Sequence, residues 1–113
     1  MSRIAQMKDS LRQMLALLEG ERQALAALDL DRIVTCAGGK LELCERLEAM
    51  AGHQLDEEGV SLLDAAKRLN EINRRLRNLI ATNVQSRIEM LSGGAQGVYR
   101  SPAAGRSAPL ALA

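Results

Sequence analysis

Ile4, Met7, Leu11, Met14, Leu18, Glu21, Leu25 and Leu28 recur at alternating steps of three and four residues, the repeat that aligns side chains along one edge of an α-helix. One member, Glu21, is a carboxylate. A seam two residues wide per heptad cannot bury itself. The chain must therefore supply partner helices or take them from another protein, and its function becomes a question of partners.

At 113 residues the chain is one domain by size, long enough for a bundle core and too short for an α/β enzyme with a cofactor fold. Its hydrophobic content of 47% is almost wholly aliphatic and alanine: Phe and Trp are absent and Tyr99 is the sole aromatic residue, a composition that favours helices. The formal charge of +1 is spread without any block of the excess expected of a nucleic-acid binder. No apolar run approaches the ~20 residues needed to cross a bilayer, and no signal-peptide pattern opens the chain, so a cytoplasmic protein is expected. Cys36 and Cys44, eight residues apart on one helix, would have Cα atoms roughly 12 Å apart, too far for a disulfide.

The spacing predicts an all-α fold, an antiparallel up-down-up three-helix bundle or coiled coil over residues 1–92, with helices at about 2–28, 31–51 and 61–92. Ser2 is a good N-cap for the first helix, and Asp29 or Asp31 can cap the second. On helix 2, Ile33, Val34, Ala37, Leu41, Cys44, Leu47 and Ala51 fall on one side. Gly38-Gly39 reads more simply as a weak point or kink, and alternatively as a place where a second backbone comes close. Residues 52–59, with Asp56, Glu57 and Glu58 between glycines, read as an exposed loop, and Ser61 with Asp64 forms a capping box opening helix 3. There Leu62, Ala65, Leu69, Ile72, Leu76 and Leu79 repeat the heptad seam. Residues 93–113 are mostly Gly, Ala, Ser and Pro and read as a flexible, disordered tail.

Spacing offers no catalytic grouping and no metal or cofactor set. His53 is alone in the acidic stretch and reads as a solvated residue, and no Glu-x-x-His pair is present. Lys67, Arg68, Arg74, Arg75 and Arg77 point at widely different angles with no aromatic residue beside them, which fits a solvated face better than a nucleic-acid footprint. Glu21 is either an exposed register-setting charge or a buried partner of Lys40 on the antiparallel neighbour. Asn73 lies beside the helix 3 seam, where an amide can hydrogen-bond across helices and fix register.

Beyond Leu79 the stripe on helix 3 changes course, because the heptad positions become Asn83 and Ser86 while the large residues move to Ile80, Val84, Ile88 and Leu91. Each four-residue step turns the stripe by ~40° around the helix. These four residues either form a docking face for an amphipathic client segment or are covered by a curving helix 1.

The run Leu15-Ala16-Leu17-Leu18-Glu19-Gly20-Glu21-Arg22-Gln23-Ala24-Leu25, then Asp29 or Asp31, Lys40-Leu41, Leu69-Asn70-Glu71-Ile72-Asn73-Arg74-Arg75-Leu76, and Tyr99 six residues before Gly105, resembles the FlgN-type flagellar export chaperones over nearly the whole chain. Gly38-Gly39 and the residues after Tyr99 depart from that pattern. The resemblance implies a cytoplasmic type III export chaperone, not an enzyme. Such a protein holds the helical C-terminal regions of hook–filament junction proteins of the FlgK and FlgL type and delivers them to an export gate of the FlhA type. It also implies that Asn70 and Asn73 match the family's paired asparagines and that Tyr99 is a docking anchor. The competing expectation is a self-associating coiled-coil scaffold, and a chain without client would then form a homo-oligomer.

Overall fold

The computed structural model describes residues 2–93. They form three α-helices, α1 (Arg3–Ala27), α2 (Leu30–Ala49) and α3 (Glu57–Leu91), and no strand is found among the described residues. The chain divides into two compact units, Met1–Asn73 and Arg74–Ala113, and α3 runs through the division. Residues 94–113, including the expected tail and Tyr99, lie outside the described residues.

In the first unit, α1 starts where the Ser2 hydroxyl accepts a hydrogen bond from the N–H of Ala5 at 3.0 Å. It buries Met7, Leu11, Met14, Leu18, Glu21 and Leu25, the interior of the expected seam, together with Ser10 and Ala24. Ile4 and Leu28, the two ends of that seam, are exposed. Leu28 has left the helix: at φ +55° it takes the left-handed conformation that closes α1. There the Leu28 N–H bonds to Leu25 O at 3.2 Å and the Asp29 N–H to Ala24 O at 2.9 Å, the paired bonds of a Schellman ending. Asp29 then caps α2, its carboxylate accepting from the Arg32 N–H at 3.3 Å. Two helices are thus joined in two residues, which bond both to carbonyls left over by α1 and to N–H groups left over by α2.

α2 continues unbroken through Gly38-Gly39. A Cβ on Gly39 would stand 3.2 Å from Cδ1 of Leu17, so this glycine marks a close approach to α1, while nothing lies within 4 Å of the same position at Gly38. The inward face differs from the one expected. Cys36 and Leu43 are buried and Ile33, Lys40 and Leu47 half-buried, a 33-36-40-43-47 heptad, whereas Val34, Ala37, Leu41 and Ala51 are exposed. Ile33, Cys44 and Leu47 of the expected side do turn inward, Cys44 and Leu47 against the core, but counting apolar side chains set that side's centre off because the buried edge also takes Lys40, bonded to Glu21, and Cys36.

α3 begins four residues earlier than the capping box at Ser61 implied. Asp56 is the cap: its carboxylate accepts from the Gly59 N–H at 2.8 Å and its carbonyl from the Val60 N–H at 3.0 Å. Glu57 and Glu58 therefore lie in a first helical turn, where carboxylates favour the helix N-terminus. Across from them on α1, Lys8 Nζ lies 2.8 Å from Asp56 and 2.9 Å from Glu58, and Arg12 reaches Glu58 at 3.0 Å. Hydrogen bonding to Lys8 is the main cause holding both carboxyls below their ordinary range. The same bonds, first that to Asp56, raise the Lys8 ammonium. Composition made this stretch look like a loop, but its acids cap α3 and pair with α1.

Within this unit α3 buries Gly59, Ala66 and Asn73, one heptad apart. Ile72, placed on the seam by the apolar repeat, is exposed. The core is Met14, Leu18, Leu43 and Ala66, with Leu15, Leu17, Cys44, Leu47 and Leu69 packed around it. Both cysteines are free thiols, Cys36 buried and Cys44 half-buried. In the second unit the described residues are helical to Leu91, and Gly93 takes a positive φ of 74° just beyond the helix end. Leu79, also assigned to the seam, is exposed.

Candidate protein-binding site

Two sets of residues singled out by the sequence occupy different units, and their chemistry differs. The first is polar and enclosed. Glu21, on the buried edge of α1, is 3% exposed, and Asn73 on α3 is completely buried. The Asn73 amide donates to Glu21 Oε1 at 2.8 Å and to the backbone carbonyl of Leu18 at 2.9 Å. Lys40 on α2 places its ammonium 3.2 Å from Glu21 Oε2 and donates to Asn70 Oδ1 at 3.2 Å. Of the two sequence readings of Glu21, the buried pair with Lys40 is the one found.

Each of the three helices thus contributes to one hydrogen-bonded group, with the ammonium partly open to solvent at 22% and the carboxylate side chain enclosed at 4%. Removing a carboxylate from water is unfavourable by several kcal/mol, so Glu21 is tolerable there only with such donors in place. The group is closed by hydrogen bonds among side chains of the three helices. Its effect is geometric, because sliding any helix by one turn would separate the donors from their acceptors.

The second set is apolar and open. On the 74–91 part of α3, Val84, Ile88 and Leu91 are 50%, 58% and 86% exposed, and Ile80 is half-buried. By helical geometry the four lie within roughly 80° of arc. Leu79 and Met90 are also exposed, about 100° around the same helix from Ile80 and Leu91, with Asn83 and Arg87 between them and the stripe. Sequence reading passed over Met90 because its heptad partners Asn83 and Ser86 are polar; its spacing of eleven from Leu79 was the available signal.

Of the basic residues, Lys67, Arg68 and Arg75 are exposed and Arg74 and Arg77 half-buried. His53 is exposed, its Nε2 3.3 Å from Nη1 of Arg3. Among the described residues no grouping of His, Cys, Asp or Glu could hold a metal ion, and no helix is long and apolar enough to cross a membrane. A second exposed apolar stripe, unanticipated from sequence, runs along α2 through Leu30, Val34 and Leu41. No family model, curated protein or solved structure matches this chain.

Proposed function

We propose that this chain is a helix-binding protein, an export chaperone of the FlgN type, whose three helices form an up-down-up bundle and whose α3 end holds an amphipathic client. The observation that carries this reading is the open stripe of Val84, Ile88 and Leu91 on a continuous helix. Large aliphatic side chains held in water on one side of a helix gain roughly 25 cal/mol for each Å² that a partner covers. An amphipathic client helix, laid along the stripe with its own apolar face inward, matches that geometry.

The client class follows from the resemblance: helical C-terminal regions of hook–filament junction proteins, taken up in the cytoplasm before secretion and passed to an export gate. The order of contacts within the first unit supports the bundle. Lys8 and Arg12 meet residues 56–58, and Glu21 meets Asn73, so numbers rise together along α1 and α3. Gln13 meets Arg46 and Glu21 meets Lys40, so they run oppositely along α1 and α2.

The test is capture of a synthetic C-terminal helix of a FlgK-type or FlgL-type protein by fluorescence anisotropy. Ile88→Asp and Leu91→Asp should each abolish capture while far-ultraviolet circular dichroism stays helical. Capture that survives in both variants places the client elsewhere or removes the function.

A further inference from the structure

We propose that Arg87 makes the open stripe at the end of α3 selective for client helices that carry a carboxylate beside their apolar face. Selectivity of this kind rests on the client-binding reading of Val84, Ile88 and Leu91 and adds the chemistry of the client. Aliphatic side chains attract any apolar face, because burial of apolar surface has no direction. Ile80, Val84, Ile88 and Leu91 therefore cannot by themselves choose between two clients, or between two orientations of one. That choice falls to charges at the edges of the stripe. Residues 80–92 contain two charged side chains, Arg87 and Glu89, and both are exposed.

Helical geometry separates the two. Arg87 follows Val84 by three residues and precedes Leu91 by four, about 60° and 40° from them around the axis, so it borders the stripe one turn from each. Glu89 lies about 140° from Val84 and 160° from Leu91, on the far side of the helix. The opposite edge, beyond Ile88, carries Ala81 and Gln85 and no charge. Arg77, one turn before Ile80, is half-buried and already engaged within the chain. A client on the stripe thus meets a guanidinium along one edge and an amide along the other. A carboxylate on the client's matching flank gains a charge-assisted hydrogen bond, whereas a lysine there sets like charges together.

Fluorescence anisotropy with the full chain and three synthetic helical peptides tests it. The peptides share one leucine face and differ only in the residues flanking it, which are glutamate, glutamine or lysine. Affinity should fall in that order, with about tenfold between the first and the last at low salt and a smaller gap at high salt. Arg87→Gln should level the three, Arg87→Glu should invert the order, and Arg87→Lys should keep most of the preference. Glu89→Gln alters the net charge by as much as Arg87→Gln does and should leave the order unchanged, which separates a local contact from the charge of the whole chain. Equal capture of the three peptides by the wild-type chain overturns the selectivity while the client site stands. A preference that Arg87→Gln does not change overturns it as well. A chain that captures none of the three lacks the docking face itself, and both readings fall.

Discussion

The side-chain amide of Asn73 lies 2.8 Å from the carboxylate of Glu21 across 52 residues of sequence, and both side chains are shut away from water. A carboxylate and an amide in a helical core stabilise less than leucines of the same volume, yet they accept only one alignment of the helices.

Breaking and erasing this group should therefore have opposite effects. Asn73→Ala leaves Glu21 and the Leu18 carbonyl without that donor and should destabilise the protein by about 1–3 kcal/mol in urea unfolding. Replacing Glu21, Lys40 and Asn73 together by leucine should leave stability equal or higher. The triple variant should lose the single, well-dispersed set of amide resonances that a fixed register gives. Retention of one sharp spectrum would show that apolar packing alone sets the register.

Glycines separate into three cases. A Cβ on Gly59 would stand 2.7 Å from Cδ2 and 3.1 Å from Cβ of Leu55, and 3.2 Å from the capping oxygen of Asp56, so Gly59→Ala should destabilise by about 1–2 kcal/mol despite the better helix propensity of alanine. Gly38 has open space around it, and Gly38→Ala should raise stability by about 0.5–1 kcal/mol. Gly39 faces Leu17 at 3.2 Å and should fall between them. Thermal melts of the three variants check the order.

Leu28 holds φ +55° with its side chain 59% exposed, so it gives up backbone comfort for little burial. Leu28→Gly should raise stability by about 1 kcal/mol, because glycine takes the left-handed conformation without a Cβ clash. A fall in melting temperature would mean that the Leu28 side chain has a partner worth more than that strain.

Acid should loosen the start of α3. Asp56 and Glu58 sit below their ordinary values of 3.8 and 4.5, so the unfolded chain binds more protons in acid than the folded one. Their contribution is complete above about pH 5 and fades as pH falls through the lowered folded values. Lys8, raised above 10.5, contributes fully below that value and loses its contribution as pH rises through the folded one. Asp56→Asn keeps a capping oxygen and removes the charge. Its melting temperature should lie below wild type at pH 7 and converge with it toward pH 2, and parallel curves would exclude the ion pairs.

The first helix was legible in the sequence because its buried edge is a simple repeat: Met7, Leu11, Met14, Leu18 and Leu25 face one way, and Ser2 announces the start. Glu21, Lys40 and Asn73 could be named from their positions at or beside the seams, though whether they met was open until three helices brought them within hydrogen-bonding reach. For α2 and α3 the sequence supplies more apolar residues than the fold can cover. α2 offers Val34 and Leu41 as readily as Cys36 and Leu43, and α3 offers Ile72 as readily as Ala66. Side-chain type settles the helical period and the existence of the elements. Which edge is buried depends on contacts made between elements: Gly39 lies against Leu17, Ala66 joins Met14, Leu18 and Leu43, and Asn73 bonds to Glu21, while larger apolar side chains nearby stay exposed. The same selection leaves Leu30, Val34, Leu41, Val84, Ile88 and Leu91 in water, where another chain can reach them.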